Sequence, residues 1–313
     1  MALYVVGNHT HNLAQRYAKK LNCAALTYTP THFADTELAL SFNQSPDLSD
    51  ADVLLIHQCD GAKDINAQLF ELLMVTTHLR MHNVRTIIGL LPYLPYARQT
   101  KIICHTLAST PLFHALLTNA GINTIIAADI HEHTNQVTGM QLGTSINCAS
   151  WWAEIIRNNF NNEINEGRLC LVAPDKGAQP YVETLANMLS LPSAVVTKER
   201  LKQDHATAIS IEGIVHGMHA LIIDDIVDTG HTAVGACNLL LGHKAHAVSA
   251  CFTHAVLSPG ALDHLTCSPL KHIFLTNTLC QRPLVHPHVT YTDIHDFLAA
   301  QVATHLATLL PKE

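Results

Sequence analysis

The residues best suited to chemistry lie in one short stretch, where an apolar strand ends in carboxylates and leads into a helix. Residues 220–232 read Ala-Leu-Ile-Ile-Asp-Asp-Ile-Val-Asp-Thr-Gly-His-Thr. Asp224 and Asp225 are adjacent carboxylates, which repel each other in a dry site unless a sugar diol, Mg²⁺ or water neutralises them. The alternative interpretation is an acidic strand end followed by a threonine that caps the helix.

The turn after these carboxylates has the composition of a phosphate-binding loop. Strands of a parallel sheet open their carboxyl ends toward ligands, and a helix amino terminus offers N–H groups to an anion. Thr229, His231 and Thr232 supply amides, the two threonines also supply hydroxyls, and Gly230 lets the backbone approach closely. We therefore predict that residues from Asp228 onward hold a monophosphate.

The elements that must position this loop follow from the hydrophobic pattern. Apolar runs of strand length alternate with segments of helical period, which predicts the α/β class with a doubly wound parallel sheet. Strands are predicted over residues 3–6, 53–57, 86–91, 124–128, 168–172, 194–197, 219–224, 247–253 and 272–276. Helices are predicted over residues 11–21, 66–82, 112–120, 181–189, 233–241 and 296–309.

The chain length indicates two domains. One sheet would need an unusual number of strands to use all 313 residues. We divide the chain after a polar, glycine-containing stretch, into residues 1–149 and residues 150–313.

The amino-acid composition indicates which classes of partner and which cellular compartment to expect. The formal charge is −7, and the 23 histidines should bring the net charge close to neutral at pH 7 and make it positive by about pH 6. No basic surface for nucleic acid is indicated, and no apolar run reaches the ~18 residues that a membrane span needs. The nine cysteines include no C-x-x-C pair, so we expect a soluble cytoplasmic protein with reduced thiols.

Several other segments resemble the ribose-phosphate pyrophosphokinase family, which makes phosphoribosyl diphosphate (PRPP), and residues 224–232 resemble the PRPP motif of type I phosphoribosyltransferases. The similarity runs from about residue 3 to residue 298. The matching segments are Gly7-Asn8, Asn12 to Gln15, Phe33 to Glu37, Glu71 to Arg80, Pro92-Tyr93, Tyr96 to Gln99, Asp129 to His131, Ala173 to Gly177, Lys198 to Arg200, Thr253-His254 and Thr276 to Thr278.

The resemblance implies two domains of phosphoribosyltransferase type and a reaction. The family transfers the β,γ-diphosphoryl group of ATP to the 1-hydroxyl of ribose 5-phosphate, giving PRPP and AMP with Mg²⁺ as cofactor. It also implies a homo-oligomer built from dimers, with a hexamer as one such assembly, because the family's nucleotide residues lie across a subunit interface.

The resemblance also implies roles for individual residues. Lys198 and Arg200 would stabilise the transition state, and His131 and Asp175 would bind Mg²⁺. ATP would contact Phe33, Asp35, Glu37, Arg98, Gln99 and Lys101. Ribose 5-phosphate would contact Asp224, Asp225, Asp228, Thr229, Gly230, His231 and Thr232.

The sequence departs from the family at several of these places. The loop after Gln99 carries only Lys101 as a cation, and Glu132-His133-Thr134 replaces the family's Ala-Asp-Gln. The family has glycine where this chain has His231, a position expected to need unusual backbone angles. Two alternatives stay open: a catalytically silent homologue that regulates an active partner, and a phosphoribosyltransferase that consumes PRPP.

Overall fold

In the computed structural model, the described residues are 2–99, 108–130, 143–200, 207–280 and 286–310. They form two compact units, each built on one seven-stranded sheet. Within these residues, every helix is too short or too polar to cross a membrane.

The first unit contains Met1–Ile146, Thr278–Gln281 and His295–Glu313. Its strands are β1 (Leu3–Asn8), β2 (Ala24–His32), β3 (Leu38–Phe42), β4 (Asp52–Ile56), β5 (Thr86–Leu90), β6 (Thr124–Ala128) and β7 (Thr144–Ile146). Its helices are α1 (Leu13–Leu21), α2 (Ile65–Met81), α3 (Ser109–Ala120) and α9 (His295–Leu309), and a 3-10 turn covers His9–His11.

The sheet of the first unit has the order β3-β2-β1-β4-β5-β6-β7. Every neighbouring pair is parallel except β2 and β3, which form an antiparallel hairpin at one edge. β4 is buried along its whole length because helices cover both faces of the sheet. This arrangement explains why its sequence, Asp-Val-Leu-Leu-Ile, is nearly all apolar.

The second unit contains Asn147–Asn277 and Arg282–Ile294. Its strands are β8 (Leu169–Ala173), β9 (Ser193–Arg200), β10 (Thr207–Glu212), β11 (His219–Val227), β12 (Ala247–Ala255), β13 (Ile273–Thr276) and β14 (Val289–Thr292). Its helices are α4 (Ala149–Asn159), α5 (Asn161–Asn165), α6 (Gln179–Leu189), α7 (His231–Gly242) and α8 (Ala261–Thr266).

The second sheet repeats the topology of the first, with the order β10-β9-β8-β11-β12-β13-β14. β9 and β10 are antiparallel at one edge, and the other neighbouring pairs are parallel. The central strand β11 lies between β8 and β12, so its carboxyl end opens at the middle of the sheet. Ile222, Cys237 and Phe252 belong to one buried core between this sheet and its helices.

The predicted fold class is confirmed: both units are α/β and mostly parallel. All nine predicted strands and all six predicted helices correspond to observed elements, with ends that differ by a few residues. One expectation differs from the structure. Helix α9 lies in the range assigned to a second domain over residues 150–313, but it groups with the first unit because it packs against α1.

Candidate active site

Three carboxylates meet at the carboxyl end of the central strand of the second unit. Asp224 and Asp225 are consecutive residues of β11, and the Asp225 backbone N–H donates to Asp224 Oδ1 at 3.0 Å. Burial, followed by the negative charges of Asp225 and Asp175, raises the pKa of Asp224 to about 8. The repulsion expected from the sequence is therefore present, and Asp175 adds to it.

Asp175 is held in place by the turn after β8. Its Oδ1 atom accepts hydrogen bonds from the backbone N–H groups of Gly177 (2.8 Å) and Ala178 (3.1 Å), just before α6 begins. Since β8 and β11 are parallel neighbours, their carboxyl ends lie at the same edge of the sheet. This shared edge is why two residues 49 positions apart, Asp175 and Asp224, interact electrostatically.

The chemistry of these carboxylates fits a hard cation such as Mg²⁺. Carboxylate oxygens are ligands that Mg²⁺ prefers, together with water and phosphate oxygens. Within the part of the chain that the structure describes, no three His, Cys, Asp or Glu side chains form a complete metal cage. A cation here would therefore take further ligands from phosphate and water. His131, the second predicted ligand, lies outside the described residues.

A tight turn joins these carboxylates to helix α7. Gly230 has φ +80° and immediately precedes the helix. A Cβ atom at Gly230 would lie 2.9 Å from Leu265 Cγ, so both the backbone angle and the available space require glycine. His231 is the first helical residue, so the expectation of unusual angles at His231 is wrong: the left-handed conformation falls on Gly230 instead.

The predicted phosphate cradle is held by a residue that the sequence did not single out. Ser258 donates its hydroxyl to Asp228 Oδ1, and the Ser258 backbone N–H donates to the Asp228 carbonyl at 3.2 Å. These bonds fix the turn to the segment that follows β12. Thr229 and Thr232 are exposed beside the helix amino terminus, where their hydroxyls and amides can contact an anion.

The predicted catalytic cations lie in β9. The backbone of Lys198 pairs with Ile209 of β10, and that of Arg200 pairs with Thr207. β9 is also the parallel neighbour of β8, so its carboxyl end lies at the same sheet edge as Asp175 and Asp224. The Lys198 and Arg200 side chains are outside the described part of the structure, and their role stays a prediction.

In the first unit, Phe33, Asp35 and Glu37 lie together at the turn between β2 and β3. The backbone N–H of Phe33 donates to the Glu37 carbonyl at 2.9 Å, and that of Glu37 donates to Asp35 Oδ1 at 3.1 Å. The Phe33 ring is 62% exposed. This hairpin turn presents an aromatic surface with two carboxylates beside it, which suits an adenine ring and ribose hydroxyls.

Arg98 and Gln99 are exposed after β5, in a segment fixed by Thr110. The Thr110 hydroxyl donates to the carbonyls of Tyr96 (2.6 Å) and Gln99 (3.0 Å). In the sheet order, β1 and β4 lie between β2 and β5, which separates these residues from the Phe33 turn. Lys101 lies outside the described residues.

Comparison with known proteins agrees with this arrangement. A family model described as the N-terminal domain of ribose phosphate pyrophosphokinase matches residues 2–121, and a phosphoribosyl transferase domain model matches residues 141–268. A ribose-phosphate pyrophosphokinase of Bradyrhizobium diazoefficiens is 30% identical over 276 residues, which are 88% of this chain and 84% of that protein. Ribose-phosphate pyrophosphokinase 4 of Saccharomyces cerevisiae is 31% identical over 277 residues, covering 88% of this chain and 83% of the yeast protein.

A solved structure extends the match to almost the whole chain. The crystal structure of phosphoribosylpyrophosphate synthetase from Mycobacterium smegmatis superposes with a TM-score of 0.83 at 27% sequence identity. The match covers 98% of this chain and 100% of that one. The chain therefore belongs to the ribose-phosphate pyrophosphokinase family.

Proposed function

We propose that this protein is a ribose-phosphate diphosphokinase that uses ATP and ribose 5-phosphate to make PRPP and AMP. The single observation that carries the proposal is the edge of the second sheet, where Asp224 and Asp225 lead directly into the turn that begins α7. Carboxylates suited to sugar hydroxyls and amides suited to a phosphate follow one another in this short stretch of chain.

In this proposal the second unit binds the acceptor. Asp224 and Asp225 accept hydrogen bonds from the ribose hydroxyls. The loop from Asp228 to Thr232 holds the 5-phosphate with N–H groups and threonine hydroxyls. The sugar is thus fixed at both ends, which leaves its 1-hydroxyl as the group that reacts.

The reaction forms a bond between the sugar's 1-oxygen and the β-phosphorus of ATP. The bond from that phosphorus to the α,β-bridging oxygen breaks, AMP leaves, and the hydroxyl proton passes to solvent. Lys198 and Arg200 stabilise the charge that develops on the transferred diphosphate. Asp175 and His131 would hold Mg²⁺, which would supply further positive charge to the transferred diphosphate.

The first unit binds the nucleotide in this account. Phe33 stacks on the adenine ring. Asp35 and Glu37 accept hydrogen bonds from the adenine amino group or from the ribose hydroxyls of ATP. The base and the phosphates contact Arg98, Gln99 and Lys101. In the family the nucleotide residues lie across a subunit interface, so we propose a homo-oligomer in which two chains complete one nucleotide site. We place this reaction in the cytoplasm, where both substrates are available.

Chromatography of the nucleotide products tests the proposal. The purified protein is incubated with ATP, MgCl₂ and inorganic phosphate, with and without ribose 5-phosphate. We expect AMP to accumulate only when the sugar is present. A protein that binds ATP and ribose 5-phosphate but forms no AMP would instead be the silent homologue, and PRPP consumption with a nucleobase would indicate a phosphoribosyltransferase.

A further inference from the structure

Four neighbouring strands of the second sheet, β8, β11, β12 and β13, each begin at or just after a basic residue. These residues are Arg168 before β8, His219 at the start of β11, His246 before β12 and Lys271 before β13. Because the strands are parallel, their amino ends lie at one edge of the sheet, opposite the edge that carries Asp224. The fold therefore gathers four basic side chains at a place that the proposed reaction does not use.

These four side chains line a small cavity together with Glu163 and Gly217. The cavity contains about 290 Å³ of space, part of it open to solvent. Pockets that bury drug-sized ligands typically have volumes of ~300–1,000 Å³, so this one lies at the lower end. Its size suits a compact ion better than a nucleotide.

The buried floor of the cavity already has its hydrogen bonds. Nδ1 of His219 lies 3.3 Å from Glu163 Oε1, and Nε2 lies 2.9 Å from Ser249 Oγ. The His219 residue is only 3% exposed, so its ring holds Glu163 rather than a ligand. One oxygen of the Glu163 carboxylate is thereby engaged within the protein.

The basic side chains at the rim, by contrast, have donors left for a ligand. Arg168, His246 and Lys271 are all exposed. In the part of the chain that the structure describes, neither the Lys271 ammonium nor the His246 ring has a hydrogen bond or an ion pair. Arg168 pairs with Glu166 through Nη2, which leaves its Nε and Nη1 atoms to donate elsewhere.

The cations of the rim lie close enough to act on the floor. Burial lowers the pKa of His219, and the positive charges of Lys271 and protonated His246 lower it further, against the opposing effect of Glu163. Like charges that a fold holds close together repel one another, and an anion bound among them removes that repulsion. The cavity therefore has both the donors and the electrostatic potential for an anion.

We propose that this cavity binds a doubly charged oxyanion of the size of sulfate or phosphate. Lys271 and Arg168 supply charge-assisted hydrogen bonds, and His246 supplies a ring N–H. The proposal is independent of the reaction proposed above. Asp224 lies five positions after His219 along β11, a distance of about 16 Å, so both ends of the strand can be occupied at once.

Thermal unfolding at increasing sodium sulfate concentration tests the site. Sodium chloride is adjusted to keep the ionic strength constant, and affinity follows from the rise in melting temperature. Lys271→Gln removes a cation of the cavity, and Glu163→Gln removes its carboxylate. Lys244→Gln is the matched control, because Lys244 is exposed and its carbonyl accepts from Gly217, but it does not line the cavity. All three variants keep the predicted phosphate loop, so sulfate bound there contributes equally to each.

We expect Lys271→Gln to weaken sulfate binding at the cavity about 5- to 10-fold, and Glu163→Gln to strengthen it by a similar factor. Lys244→Gln should respond to sulfate as the parent protein does. If sulfate fails to stabilise the parent, or if Lys271→Gln and Lys244→Gln respond alike, the cavity does not bind the oxyanion and the proposal is wrong.

Glycerol 2-phosphate in place of sulfate identifies the source of the anion. The same order of variants with this probe would show that the cavity accepts the phosphate group of a larger molecule. A response to sulfate alone would show that it accepts only a free ion.

Discussion

The hydroxyl of Tyr17 lies 3.1 Å from Nδ1 of His295, although 278 positions separate the two residues in the chain. Both side chains are buried, and Gln58 Nε2 lies 3.1 Å from the other ring nitrogen of His295. The last helix thus takes part in a polar network inside the first unit. The chain must leave the first unit, build the second, and return before the first is complete.

This network predicts that Tyr17→Phe destabilises the protein by about 1–2 kcal/mol, because a buried hydrogen bond is lost. Urea unfolding, followed by fluorescence and circular dichroism, measures the change. Tyr4→Phe is the matched control, since the structure describes no side-chain hydrogen bond for Tyr4. Equal midpoints for the two variants would show that the network adds no stability.

Removing the charge of one buried carboxylate should make the protein more stable and weaken its binding of ribose 5-phosphate. Asp224→Asn removes a charge that is buried beside Asp225 and Asp175. We expect it to raise the free energy of unfolding by about 1–2 kcal/mol at pH 8 without divalent cations, and to weaken ribose 5-phosphate binding.

Thermal unfolding and calorimetry on the same samples measure both effects. Asp263→Asn, at an exposed position of α8, serves as the control and should change neither quantity. A less stable Asp224→Asn protein would mean that the repulsion is already compensated in the folded state.

His114 of α3 predicts a pH dependence of stability. The side chain is 1% exposed, neither ring nitrogen has a hydrogen-bond partner, and burial lowers its pKa to about 4. The unfolded chain, with an ordinary histidine pKa near ~6.5, then binds more protons than the folded chain between these values. Stability contributed by the neutral ring is therefore present above pH ~6.5 and is lost as the pH falls toward 4.

The test compares urea midpoints of the parent protein and His114→Leu from pH 7 to pH 4. We expect the parent to lose about 1–3 kcal/mol more than the variant over this interval. His32→Leu, at an exposed position in the same unit, should follow the parent. Parallel curves for the parent and His114→Leu would contradict the assignment.

The exposed aromatic ring at the β2–β3 turn predicts a binding defect without a folding defect. Phe33→Ala should weaken ATP binding about 5- to 20-fold, because it removes the surface on which adenine stacks. It should leave the unfolding midpoint within about 0.5 kcal/mol of the parent, since the ring is mostly exposed. Met81→Ala, at a residue that is 78% exposed in the same unit, is the control for losing a large apolar side chain. Unchanged ATP affinity in Phe33→Ala would place the adenine elsewhere.

The sequence was most informative where burial is complete. The apolar runs of β4, β6 and β11 predicted their strands because both faces of a central strand are covered. The hairpin strands β2 and β3 were missed. Pro30 interrupts the apolar run of β2, and β3 is a short strand at the edge of the sheet, where burial is incomplete. Helix α4 was also missed, because its first residues served as the predicted domain boundary.

In the candidate site, residues that are close in sequence were predictable, and partners brought in from other segments were not. Asp224, Asp225 and Gly230 are contiguous or nearly so, and local sequence alone predicted their roles. Ser258 and His264 approach the loop from a segment about 30 residues further on, and no spacing rule connects them to it. Such partners are set by the packing of α7 against α8, which only the tertiary structure reveals.

The most direct test of the central claim follows the β-phosphorus of ATP by ³¹P NMR during incubation with ribose 5-phosphate and MgCl₂. We predict that this signal converts to a diphosphate on the sugar's 1-oxygen while AMP forms in equal amount. The rate should fall at least about 100-fold in Lys198→Ala and stay unchanged in Lys20→Ala, an exposed lysine of α1. If the folded protein instead releases ADP or leaves ATP intact in the presence of the sugar, diphosphoryl transfer is not its reaction.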